Sequence, residues 1–452
     1  MAETTGRPVD VGLLSPVSIL VGDEASDRAF VDELIGAELA LMLALVELGV
    51  APASVSHAVA ELLSMPPEVE LWTLARDSVA SGNPVIPLVP LLKAHVARVD
   101  PDAVDWVHVG ATSQDIMDSA LMTLARDAAA SIVESLRRTA AALEVLARAH
   151  RDAPAAARTL TQHAVPTTLG LKAANWSSAI VRARRRVEEV ADRLPAQLGG
   201  AGGTLASFVE LFGQERAAAL PAHFARELGL QAPDAPWHTN RWPVTELGDA
   251  LVAAIAAVGT LAADVATLAR TEVGEASVGA GGGSSAMPQK QNPVDAVLIR
   301  SAALRAPGLA AQLHLAAGLA VDERPDGAWH AEWPVLQELL RLALGASARA
   351  AELSADLTFD PERARANLDL TGGLIVSERL RIVLVPRIGK ARFDVLIAEA
   401  SAGGSLGALV RALPEASGLD TDDLMNPAHY VGLAQHLVDT ALHSAVQEGM
   451  RP

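Results

Sequence analysis

Apolar residues recur at helical spacing along most of the chain, and short alternating runs of β-branched residues are rare. The pattern predicts helices over 30–49, 54–63, 68–80, 84–96, 115–149, 168–192, 211–228, 245–275, 292–320 and 332–355. Alanine and leucine dominate these segments; both are strong helix formers, and alanine lets helices approach closely. The predicted fold is therefore mainly α. Several helices exceed 20 residues, which favours a long bundle over a small globular packing. In 245–275 the apolar coverage is broad and is broken mainly by Asp249 and Asp264. A helix of that kind is buried on most sides and invites self-association.

Boundaries are marked by turn and cap chemistry. PDAVDW at 101–106 introduces the central region, and LTFDPERARANLD at 357–369 leaves it, with Asp360 as N-cap and Pro361 as the first helical residue. Three parts are expected: an N-terminal helical domain (1–107), a central long-helix bundle domain (108–356) and a C-terminal helical domain (357–452). Gly202–Gly203 and Gly372–Gly373 mark bends.

Composition narrows the function classes. The 452 residues include no cysteine, which removes thiol nucleophiles and thiolate metal sites and fits a reducing, cytoplasmic setting. A formal charge of −18 argues against a nucleic-acid binder. The one basic run, RARRR at 182–186, is followed by Glu188, Glu189 and Asp192 and reads as a solvated helix face. Glu3 and Asp10, with no basic region ahead of an apolar run, argue against a signal peptide. The uncharged stretches 250–263 and 306–321 fall short of the roughly 18 residues of a membrane span, so no membrane partner is expected.

Four stretches carry candidate chemistry. The first, GAGGGSSAMPQKQNP at 279–293, holds four glycines and two serines, then Lys290 and Asn292 before the helix-starting Pro293. Glycines let backbone N–H groups wrap an anion, and Ser284, Ser285, Lys290 and Asn292 add donors at a helix N-terminus. A mobile loop closing over an anionic ligand is expected; a plain flexible connector is the alternative. The second, VHVGATSQD at 107–115, sets His108 before a glycine turn and Thr112–Ser113 at a helix start capped by Asp115. It reads as a carboxylate holder, or else as an ordinary capped turn with a surface histidine. In RTLTQHAVPTTLGLK at 158–172, Gln162 and His163 stand as substrate-binding candidates or as groups that satisfy a helix end, and Lys172 reads as structural or surface. In DERPDGAWHAEWP at 322–334, Arg324 is a candidate carboxylate receptor and His330 a candidate catalytic group, or both tie bundle ends together. Zinc-ligand spacing, a Walker loop, a dinucleotide-binding glycine fingerprint and an esterase elbow are all missing, so neither a metal nor a cofactor is expected.

GSSAMPQKQNP at 283–293 resembles the signature of the fumarase/aspartase superfamily, with HVGATSQD and 158–170 resembling its first and second active-site segments. The likeness runs over roughly 12–440. Within the superfamily the segments, together with LPAQLGGAGGTLA and NPAHYVG, are most similar to the 3-carboxy-cis,cis-muconate cycloisomerases. The adenylosuccinate lyase relatives carry a histidine after the arginine–threonine pair of the second segment, where this chain has Leu160. The resemblance implies a three-domain helical subunit, a homotetramer with active sites shared between subunits, and a small polycarboxylate substrate. It implies Ser284 and His108 as catalytic residues, and Thr112, Ser113, Gln162, His163, Lys290, Asn292 and Arg324 as substrate-binding residues. The implied reaction is lactonisation of 3-carboxy-cis,cis-muconate in the protocatechuate branch of the β-ketoadipate pathway. An adenylosuccinate-type release of fumarate is the enzyme alternative, and an inactive helical scaffold is the non-enzyme one.

Overall fold

A computed structural model describes residues 12–19, 21–279, 283–284 and 287–449; at 283, 284, 288, 289 and 444–449 it describes the backbone alone. The architecture is mainly α-helical, with long helices Ser113–Ala149, Leu169–Ala191, Trp242–Leu268, Val294–Gly318 and Gly327–Asp356. The chain forms two compact units. One comprises residues 1–134, 183–256 and 301–348; the other 135–182, 257–300 and 349–452. The divisions fall inside the long helices, not in linkers.

In the first unit, the helix Asp27–Glu47 starts at Ser26, whose hydroxyl accepts the Ala29 N–H at 3.1 Å. It buries Leu34, Leu39, Leu41 and Leu45 almost completely. In the second unit, Leu380, Leu384, Phe393 and Val410 share an apolar core with Ala156. Asp360 caps the helix Pro361–Leu368 as expected, accepting the Arg363 N–H at 2.9 Å.

The expected helix over 211–228 is broken. Ala206–Phe212 and Gln214–Leu228 are separate helices. Gly213 lies between them at φ 84° and ψ 159°, a backbone state that L side chains rarely adopt. The helix begun at Trp242 stops at Leu268, short of the expected end at 275. The Glu275 N–H turns back to donate to the Leu268 carbonyl at 3.0 Å. By length and apolarity alone this helix would pass for a membrane span; half of its most apolar stretch is packed inside the protein.

The mainly helical reading missed the antiparallel hairpin of Pro154–Thr159 with Gln162–Thr168. Its two-residue tip, Leu160–Thr161, has φ of 48° and 71°. Both values belong to a primed turn, which normally takes asparagine and glycine. Leu160 is 96% exposed. A leucine held in the left-handed region costs roughly 1–2 kcal/mol, and asparagine tolerates it better. Leu160→Asn is expected to raise stability by about 0.5–1 kcal/mol in urea denaturation, whereas an unchanged midpoint would mean that the tip carries no strain.

Candidate active site

The turn before the 113–149 helix is built by close packing and an internal carboxylate. Gly110 has φ 72°, and a Cβ there would meet Phe208 at 2.7 Å, so no larger residue fits. Asp115, fully buried, accepts four hydrogen bonds. Its Oδ1 takes the Gly199 N–H and His238 Nε2, each at 2.9 Å, and its Oδ2 takes the Gly200 N–H at 2.9 Å and the Thr112 N–H at 3.0 Å. The last is the reach-back half of a capping box: the helix starts at Ser113, two residues earlier than expected, so Asp115 closes its start from the third helical position instead of capping it from outside, and its other bonds anchor the 199–200 glycine segment.

On this frame the first set of candidates comes together. The guanidinium of Arg324 donates through Nη2 to the Thr112 hydroxyl oxygen, and its buried Nε has no hydrogen-bond partner. Ser113, almost fully buried, opens a 37-residue helix whose N-terminus attracts anions. His108 has φ 60° and places Nδ1 2.7 Å from Oε1 of Glu38. Burial pulls the His108 pKa down, but the hydrogen bond and charge of Glu38 outweigh it, and the net direction is upward. The turn therefore carries a histidine whose charged form Glu38 favours, a hydroxyl and a guanidinium, groups suited to a carboxylate.

The same unit holds a charged cluster whose members sequence reasoning did not join. Arg241, almost fully buried, grips Asp118 with Nη1 at 2.7 Å and Nη2 at 2.9 Å, and also binds Glu332. Its guanidinium lies 4.6 Å from the Trp237 ring centre. Trp329 Nε1 donates to Asp118 at 3.1 Å. Burial pushes Glu332 up to about 7, against the pull of Arg241. His330, in contrast, ties chain segments together: its ring nitrogens face the carbonyls of Asp326 at 3.1 Å and Gly82 at 3.0 Å.

The second unit holds the other candidates. Gln162 and His163 line a cavity of about 390 Å³ with Arg158, Asn367 and Thr371. Arg158 pairs with buried Glu275 at 2.9 and 2.5 Å, and Asn367 donates to the same carboxylate at 2.8 Å. Burial and then Arg158 lower the His163 pKa, which favours a neutral imidazole. Lys172 is half-buried, and its pKa is also lowered by burial and Arg158. In the glycine-rich segment, Gly283–Ser284 pairs antiparallel with Met287–Gln291. Lys290 is exposed on the second strand; Asn292 is half-buried just ahead of the 294–318 helix. The Ser284 side chain, Ser285 and residues 280–282 lie outside the described residues.

Long helices that carry carboxylate-directed side chains place the chain among the lyases. The chain belongs to the lyase family of the fumarase/aspartase superfamily: the family described as "Lyase" matches residues 24–308. It is 48% identical to nitrosuccinate lyase of Streptomyces davaonensis, over 96% of this chain and 95% of the relative. It is 40% identical to 3-carboxy-cis,cis-muconate cycloisomerase of Pseudomonas aeruginosa, over 94% of each chain. The crystal structure of 3-carboxy-cis,cis-muconate lactonizing enzyme from Pseudomonas putida superposes with a TM-score of 0.87 at 34% identity. That match covers 97% of this chain and 100% of the other.

Proposed function

We propose that the protein is an intramolecular lyase that interconverts 3-carboxy-cis,cis-muconate and 4-carboxymuconolactone, in the protocatechuate branch of the β-ketoadipate pathway. The full-length structural match to the lactonizing enzyme carries this reading. A substrate carboxylate, already ionised, adds across a double bond and forms the ring C–O bond. Charge then builds on the carbon next to another carboxylate, and a proton must reach that carbon.

His108, Thr112, Ser113 and Arg324 hold one carboxylate and bend the chain so that oxygen meets carbon. Lys290 and Asn292 stabilise the charged intermediate, and Gln162 and His163 bind from the second active-site segment. Ser284 delivers the proton in the lactonising direction and removes it in the reverse. No metal or cofactor takes part in this scheme. Ser284→Ala is expected to lower kcat by about 10²–10³-fold with KM nearly unchanged. Wild-type turnover at saturation would remove Ser284 from the role.

The active form is read as a cytoplasmic homotetramer with sites shared between subunits, binding neither nucleic acid nor membrane. The exposed face of the 242–268 helix supports self-association, because Ala253, Ala256 and Thr260 on it are small enough for close helix approach.

The 48% identity to nitrosuccinate lyase favours a second reading, β-elimination from nitrosuccinate. By atom balance that gives fumarate and nitrite. Both readings place negative charge beside a carboxylate. They separate in one assay: purified protein is given 3-carboxymuconate, nitrosuccinate and adenylosuccinate in turn, with products identified by NMR. Lactone alone supports the cycloisomerase. Fumarate with nitrite replaces it with the second reading. Fumarate with AMP restores the adenylosuccinate-type alternative, which Leu160 disfavours because leucine transfers no proton.

A further inference from the structure

We propose that Glu38 is a positioning residue: it holds the His108 ring by Nδ1–H so that Nε2 is the ring nitrogen turned to a substrate carboxylate. The proposal rests on reading His108 as a carboxylate-binding group.

Glu38 lies midway along the Asp27–Glu47 helix, where the other buried positions are apolar. Its side chain is 0% exposed. Oε1 meets His108 at 2.7 Å, while Oε2 is buried without a hydrogen-bond partner. A buried carboxylate with one oxygen unsatisfied is unfavourable, and an apolar residue would suit this helix position better. His108 is itself held at φ 60°, an uncommon state for a residue with a Cβ. Two locally unfavourable features thus converge on one contact between residues 70 positions apart. Breaks in local consistency of this kind gather at functional sites.

The contact also fixes the chemistry of the ring. A carboxylate only accepts, so Nδ1 carries the hydrogen and Nε2 is the one ring nitrogen left. The groups that act on His108 come from three helices. Glu38 and Asp115 favour its charged form, and Lys93 opposes it. Orientation and charge together make Nε2–H a donor selective for an ionised ligand.

The test uses wild type, Glu38→Gln, His108→Asn and the double variant, each checked by thermal melting. Histidine-selective NMR follows the His108 midpoint and its Nε2 resonance with and without tricarballylate, a probe independent of the true substrate. In Glu38→Gln the midpoint is expected to fall, and KM on the substrate turned over is expected to rise about tenfold near pH 8. The KM loss should shrink towards pH 6, where the ring protonates unaided, and should vanish in the His108→Asn background. A merely structural cross-link would instead lower the melting temperature, leave the midpoint unchanged and raise KM equally in both backgrounds; that pattern overturns the proposal. If Glu38→Gln does not fold, Glu38→Asp replaces it and must shift the same midpoint in the same direction. If no polycarboxylate is turned over, the functional reading fails, while the NMR midpoint and the tricarballylate response still decide the role of Glu38.

Discussion

Asp115→Ala is expected to lower folding stability by about 3–5 kcal/mol and to abolish turnover. The carboxylate accepts from Thr112, Gly199, Gly200 and His238, all within 3.0 Å. Removing it strands three backbone N–H groups and a buried imidazole in a space that water does not fill readily. Each unmet buried donor costs about 1–3 kcal/mol before relaxation. The same four bonds set the path of the turn that carries His108 and Thr112, so geometry fails with stability. Asp115→Asn keeps the shape but turns an amide N–H towards donors, and should fall between the two. Urea denaturation gives the first quantity and any substrate assay the second. A loss below about 1 kcal/mol would mean that the turn is held by Gly110–Phe208 packing instead.

Arg241→Met is the second large effect. It leaves Asp118 and Glu332 buried together with no cation between them. Breaking a buried charge cluster from one side costs about 3–5 kcal/mol. The deficit carries a pH signature. In the wild type Glu332 is raised from its ordinary value to about 7. Stability from a raised carboxylic acid is present below its unfolded value and is lost as pH climbs through the folded one. Without Arg241, which pulls Glu332 down, the folded value rises further and the loss continues to higher pH. The gap between variant and wild type should therefore widen by about 1 kcal/mol from pH 6 to pH 8. Denaturant titrations at the two pH values check it; a gap that narrows would place the surviving charge elsewhere.

The helical part of the fold is legible because its signal is local and repeated. Both ends of the 54–64 and 169–191 helices lie within one residue of the apolar pattern. The hairpin at 154–168 was not legible, since alanine-rich strands and a Leu–Thr tip offer neither β-branched alternation nor the expected turn residues. Gly213 was visible as a residue but not as a break, because glycine inside a helical pattern is tolerated as often as it interrupts one. Site residues divide along the same line. Thr112, Ser113 and Asp115 were readable from their cap spacing. Glu38 was not: a single glutamate in an apolar helix reads as its one wet position until the fold brings His108 to it. Arg241, Asp118 and Glu332 are distant in sequence, and only tertiary packing turns them into one cluster.

The bare Leu160 tip has a practical use. Since the chain contains no thiol of its own, one cysteine placed at residue 160 would be the sole point of attachment for a maleimide dye. With 96% of the leucine open in the single subunit, any dimming or spectral change of that dye on raising protein concentration would record what another copy brings up against the hairpin.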